Sequence, residues 1–156
     1  MSVRNRVINP LVRALLRSPA RRVLSRRVLL LTYTGRRSGR RYTLPVQYAR
    51  TDQSLILWPA HHDRKRWWRN LQPPAPVQLR LAGRELHGTA QVLVDDPAQI
   101  ADALTIFLAR FPSARRVLGV AADASPDAIK KATEHQIIVR IATDDRPADP
   151  PDTERL

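Results

Sequence analysis

The 156-residue sequence predicts an α+β, mainly β domain, with about six mostly antiparallel strands able to close a small barrel, an N-terminal amphipathic helix and flanking helices. Three observations carry this prediction. Short apolar, partly β-branched segments are separated by brief turn signals, which suit antiparallel pairing and leave no room for parallel crossovers. Helical periodicity is confined to residues 9–27, residues 97–110 and a stretch after Ser125. No strand–helix alternation and no internal repeat runs through the chain, which argues against a doubly wound parallel sheet.

In order along the chain, residues 9–27 form the first predicted helix. Asn9 is the cap and Pro10 the first helical residue. Leu11, Leu15, Val23 and Leu24 make its apolar side, Arg13, Arg17, Arg21 and Arg22 supply charge, and Pro19 kinks or splits it. Residues 28–34 read as a buried strand. The turn Gly35-Arg36-Arg37-Ser38-Gly39-Arg40 joins it to a second strand over 42–50, giving a hairpin with a basic tip. A third strand covers 54–58. Residues 63–71 read as a short helix capped by Asp63 and stopped by Pro73-Pro74. The alternating runs 76–81 and 84–94 form a hairpin through Ala82-Gly83. Residues 97–110 make a helix capped by Asp96, with Ile100, Leu104, Phe107 and Leu108 facing the core. A further helix runs from the cap Ser125 to about Thr133, and 136–142 is the last strand. Three regions result: a basic amphipathic segment (1–27), the barrel (28–142) and a proline-rich acidic tail (143–156) expected to be disordered.

Charge narrows the partner classes. All thirteen cations of residues 1–51 are arginines and that stretch has no acid, whereas residues 52–156 balance fourteen bases with fourteen acids. The entire excess of +13 therefore lies in the first third and points to a polyanionic partner: nucleic acid, anionic lipid or a phosphorylated ligand. The absence of cysteine excludes disulfides, thiolate metal sites and cysteine nucleophiles. Apolar runs such as Val28-Leu29-Leu30-Leu31 are too short to span a bilayer, and no secretory leader pattern is present, so a cytoplasmic protein is expected.

Two segments carry chemistry. In Gly35–Arg41 two glycines permit a tight turn, Ser38 adds a hydroxyl, and four guanidiniums surround it, a combination suited to phosphate or carboxylate oxygens. It matches neither the Walker A ending nor the dinucleotide fingerprint. In Trp67-Trp68-Arg69-Asn70-Leu71 the adjacent tryptophans point about 100° apart on a helix, so one belongs in the core while the other is free to line a cleft. His61, His62, His87 and His135 lack metal-ligand spacing and are read as non-ligands. No nucleophile elbow or paired acids appear, so any redox chemistry needs a bound cofactor.

The run Leu29-Leu30-Leu31-Thr32-Tyr33-Thr34-Gly35-Arg36-Arg37-Ser38-Gly39, then Pro45, Trp67-Trp68-Arg69-Asn70-Leu71, Pro76-Val77 and Gly83-Arg84, resembles the deazaflavin (coenzyme F420)-dependent nitroreductase and quinone reductase family. The resemblance implies a split β-barrel. It also implies that Arg36, Arg37, Ser38 and Gly39 hold the cofactor's phosphate and acidic tail, with Pro45, Trp67 and Asn70 beside the deazaflavin ring. Arg41 stands one place before the position of a family arginine, which is Tyr42 here. The segment Phe111–Val117 has no tyrosine where quinone-reducing members are tyrosine-rich. The implied reaction is hydride transfer from the reduced cofactor to a small electron acceptor such as a quinone or nitro compound. The alternatives are FMN or haem in the same barrel, or a non-enzymatic binder of anionic lipid or nucleic acid, the latter the less expected partner. The basic first helix adds an expected peripheral contact with anionic membrane at the inner face. A monomer or a homodimer is expected.

Overall fold

The computed structural model describes residues 6–8 and 26–144. The expected first helix lies almost wholly outside these, as does the acidic tail beyond Asp144. Eight strands form one curled sheet: β1 (Arg6–Ile8), β2 (Val28–Thr34), β3 (Arg41–Gln47), β4 (Ala49–Arg50), β5 (Ser54–Leu57), β6 (Ala75–Leu81), β7 (Arg84–Leu93) and β8 (Ile138–Thr143). Their order is β1-β3-β2-β6-β7-β8-β5-β4. Every pairing is antiparallel except β1 with β3, which run parallel from Arg6 opposite Arg41 to Ile8 opposite Thr43. Three helices join them: α1 (Pro97–Arg110), α2 (Arg115–Leu118) and α3 (Pro126–Ala132).

Period-two alternation assigns the strands' faces. Leu29, Leu31, Val77, Leu79, Leu86, Ala90, Val139 and Ile141 point into the barrel, where Trp68 and Leu71 also pack. The opposite face is polar along most of the sheet, and there Thr32 and Thr43 pair across β2 and β3 with hydroxyls 2.7 Å apart. At β5 and β8 both faces are covered. Leu55 and Leu57 enter the barrel, while Ile56, Leu93 and Ile138 meet Ile100, Leu104 and Phe107 of α1 in a second cluster. That explains why 55–57 is apolar without a break: strands buried on both faces lose the alternation.

Several elements differ from the sequence expectation. The strand expected over 42–50 is interrupted at Tyr48: its N–H still donates to Arg27 O at 3.1 Å, in register with the β2–β3 ladder, and the next two residues form the short β4 paired with β5 instead. Residues 63–71 do not form a helix capped by Asp63. His61 adopts a left-handed φ of 57°, turns follow, and only Trp67–Leu71 coil, as a 3₁₀ turn without a side-chain cap. The parallel strand β1 and the short turns Pro112–Ala114 and Arg115–Leu118 were not anticipated. The remaining elements lie within one or two residues of expectation. Asp96 caps α1 by accepting from Gln99 N–H, and Ser125 caps α3 by accepting from Ala128 N–H. The β6–β7 hairpin turns through Ala82 and Gly83, both at positive φ (49° and 77°), the conformation a two-residue hairpin requires.

Candidate functional site

The β2–β3 loop is closed by its own backbone. Gly35 N–H donates to Arg40 O at 2.7 Å, Gly39 N–H to Gly35 O at 2.9 Å, and Arg40 N–H to Ser38 Oγ at 3.2 Å. Glycine is required at both ends of this loop. A Cβ on Gly35 would meet Ser38 Oγ at 2.6 Å and the Tyr42 ring at 2.9 Å, and Gly39 has a φ of +67°. So closed, the loop leaves Arg36, Arg37 and Arg40 exposed. Arg37 makes no hydrogen bond or ion pair with any described residue.

The 3₁₀ turn comes to this loop from 34 residues away. Asn70 Oδ1 accepts from Arg36 N–H at 2.9 Å, and the Arg36 guanidinium donates to Arg69 O at 3.3 Å. Asn70 in turn donates through Nδ2 to Trp67 O at 3.1 Å, which fixes its amide orientation. One asparagine thus ties the basic loop to the tryptophan turn. The exposed Arg64, Lys65, Arg66 and Arg69 extend the positive surface from that side.

The two tryptophans divide as their angular separation requires. Trp68 is buried, donates from Nε1 to His62 O at 2.9 Å and lies under the Arg69 guanidinium. Trp67 is half-buried and packs against the rim of the barrel core. On β3, Tyr42 faces inward, stacked on Tyr33 with ring centroids 5.6 Å apart, and its hydroxyl lies 3.2 Å from Ser38 Oγ. Burial first, and Tyr42 second, push the Tyr33 hydroxyl above its usual value. Arg41 and Pro45 lie on the other face of β3, where Arg41 hydrogen-bonds Gln78 Oε1. Of the expected residues, Arg36, Asn70 and Trp67 are therefore linked directly, and Arg37, Ser38 and Gly39 sit in the same loop. Arg41 and Pro45 project to a separate face. Tyr42 and Gln78 as partners of Ser38 and Arg41 were missed; period-two alternation along β3 carried the signal for both.

The donor set suits an anion: exposed guanidiniums, a hydroxyl, and a closed loop held in place by Asn70. No Asp, Glu or His bonds to the loop among the described residues. Nor do three or more His, Asp or Glu gather there in a way that could hold a metal ion. The arrangement binds and orients; it offers no nucleophile or general base.

The site thus sits on a curled, mainly antiparallel barrel, at its arginine-rich hairpin. The sequence matches the family described as F420H(2)-dependent quinone reductase over residues 6–111, and the chain belongs to that family of F420H2-dependent reductases. Comparison with curated protein sequences finds no match. Among solved structures, an F420-H2 dependent reductase (FDR-A) superimposes with a TM-score of 0.54 at 15% identity, over 74% of this chain and 94% of that one. A structure described as a domain-swapped dimer gives 0.54 at 16% identity, over 75% and 80%. The conserved hypothetical protein Rv2991 from Mycobacterium tuberculosis gives 0.52 at 17% identity, over 93% and 86%. At such identities the likeness concerns fold, and the fold is the split β-barrel. No helix among the described residues is long and apolar enough to cross a membrane.

Proposed function

We propose that this protein uses reduced coenzyme F420 to reduce a quinone, nitroaromatic or similar electron-poor acceptor. The observation that carries the reading is the Asn70 tie, which sets the anchored Arg36, and Arg37 with no partner among the described residues, beside the Trp67 turn. In this reading Arg36, Arg37 and Ser38 hold the phosphate and acidic tail, and Gly39 permits the loop to close around them. Trp67 and Asn70 border the ring, while Arg41 and Pro45, on the other face of β3, add charge and a rigid edge there rather than a contact with it. The deazaflavin, when bound, supplies the hydride; the chain contributes orientation and charge complementarity. Residues 111–117 have no tyrosine, and Phe111 is buried against Phe107, which leaves Arg115, Arg116 and Val117 as the side chains available to an acceptor there.

The test is a fluorescence titration with oxidised F420, run in parallel with FMN and haem. Saturable F420 binding is expected. Replacing Arg36 and Arg37 by alanine removes charge-assisted hydrogen bonds of about 1.5–3 kcal/mol each, so affinity falls at least tenfold. Quinone and nitroaromatic turnover is then assayed with reduced cofactor. Preference for FMN or haem moves the chemistry to that group, and binding of none ends the oxidoreductase reading in favour of an anionic-lipid or nucleic-acid binder.

The reading includes a cytoplasmic protein whose residues 1–27 touch anionic lipid. Co-sedimentation with phosphatidylglycerol vesicles should be lost when Arg13, Arg17, Arg21 and Arg22 become glutamine, and no co-sedimentation of the parent chain refutes it. A homodimer is included on the precedent of the similar structure described as a domain-swapped dimer.

A further inference from the structure

At the end of β2 and β3 remote from the basic loop, three parts of the chain meet. Gln47 of β3 pairs there with Val28 of β2, and the Arg41–Thr34 pair beside the loop lies a strand's length away, about 20 Å at ~3.3 Å per residue. Tyr48 N–H donates to Arg27 O at 3.1 Å, and the Arg110 guanidinium, in the last turn of α1, donates to Arg26 O at 3.1 Å. Arg50 of β4 hydrogen-bonds the Tyr48 side chain, and Arg50 and Arg110 both lie close enough to its hydroxyl to act on it electrostatically. Residues 26–28, 47–50 and 107–111 thus bring together four arginines and no acid. All four arginines are exposed, whereas Tyr48, the neighbour that Arg50 and Arg110 share, is buried. None of the four forms an ion pair with a described residue.

Two of these guanidiniums are held in place by neutral groups. Arg110 is fixed by Arg26 O and by the Phe111 ring, whose centroid is 5.6 Å from its Cζ, and Arg50 by Tyr48. A guanidinium held on one side keeps its other N–H donors for a ligand and loses little freedom on binding. Arg110 also answers the carbonyl end of α1, but Arg26, Arg27 and Arg50 have no such counter-charge. Like charges gathered by backbone contacts repel, and an anion among them relieves that repulsion. Planar forks suit an anion with several oxygens around one centre, which is the geometry of phosphate.

We infer that Arg26, Arg27, Arg50 and Arg110 form a phosphate-binding site at the end of the barrel remote from the basic loop. The phosphate is that of a lipid headgroup or of a soluble phosphomonoester. The site is independent of the cofactor reading and stands whichever cofactor the loop takes.

The experiment titrates the full chain with glycerol 3-phosphate by calorimetry and, separately, with phosphatidylglycerol vesicles by co-sedimentation. Saturable binding is expected in at least one arm. Glycerol 3-phosphate alone identifies a soluble ester, the vesicles alone a headgroup, and both together the phosphate group itself. In the arm that binds, Arg50→Gln with Arg110→Gln should lower affinity at least about tenfold, through lost charge-assisted hydrogen bonds. Arg50→Lys with Arg110→Lys keeps the charge, loses the forks, and should lower affinity as well. Lys130→Gln with Lys131→Gln removes the same charge from exposed positions of α3 and should leave affinity little changed. Arg36→Ala with Arg37→Ala should leave saturable binding in place. Binding in neither arm, equal losses in the Arg50/Arg110 and Lys130/Lys131 glutamine variants, full affinity in the Arg50/Arg110 lysine variant, or loss of all binding in the Arg36/Arg37 variant would each overturn the assignment. The first is read on the parent chain and does not depend on whether any variant folds.

Discussion

Asn70 ties the loop to the tryptophan turn by accepting from Arg36 N–H and donating to Trp67 O, beside the Arg36 guanidinium's bond to Arg69 O. Asn70→Ala removes both bonds from a partly exposed site, a loss of about 1 kcal/mol in a urea melt. Asn70→Asp keeps the acceptor and sets a carboxylate beside Arg36, so it should preserve stability better than alanine while weakening F420 binding more. If the two variants rank alike in both measurements, the asparagine is not the tie. Tyr33 gives a pH signature. Its folded-state pKa is raised above the ordinary 10.0 by burial and by Tyr42, and Tyr48 shifts the same way by burial, against the opposing pull of Arg50 and Arg110. The folded state then holds phenolic protons that the unfolded chain releases. The associated stability is full below pH ~10 and is lost as pH rises through the raised values. Denaturant melts between pH 8 and 11.5 should show this fall, and Tyr33→Phe should make it shallower.

Helix α1 is the element that covers the outer face of β5 and β8, and Phe107 is its anchor, 2% exposed and in contact with Trp58 and Phe111. Phe107→Ala should cost about 3–5 kcal/mol, with the cavity term adding to lost burial, and a chemical melt measures it. This helix was legible in the sequence to the residue, since Asp96, Pro97 and the spacing of Ile100, Leu104 and Phe107 all agree. The β6–β7 hairpin was legible for the same reason: local turn chemistry sets it. Where long-range contacts decide, the sequence was silent. Strand β3 breaks at Tyr48 with no turn residue to announce it, and β1 exists only through pairing with a strand 35 positions later. Asp63 and Pro73-Pro74 suggested a helix over 63–71, but His61 at positive φ and the turns after it leave only Trp67–Leu71 coiled, as a 3₁₀ turn. At the site, the anion-binding character of Gly35–Arg41 followed from composition and glycine placement. Its union with Asn70 did not follow from any spacing and rested on family resemblance alone.

Across the whole molecule, +13 of net charge is carried with no Lys or Arg within ion-pair distance of an acid among the described residues. Self-repulsion should then dominate electrostatics. The melting temperature should rise by several degrees between about 10 and 200 mM NaCl, as the screening length shrinks from ~30 Å to below 10 Å. A melting temperature that falls with salt would mean attractive pairs prevail. If the arginines hold the cofactor's acidic tail as proposed, F420 affinity should fall over the same range.

Pro45 has a consequence separate from any cofactor. Strand β1 pairs only with Arg41–Thr43, so among the described residues nothing covers the rest of β3 on the side away from β2. Such a margin is a template for another chain's strand, and proline there lacks the donor that a growing ladder requires. The residue is thus a guard against self-association of a sheet with an open flank. Pro45→Val should leave the melting temperature little changed while increasing light scattering on prolonged incubation; clear solutions would show the margin is guarded by other means. A proline on the open margin of β3 would then keep concentrated protein dispersed.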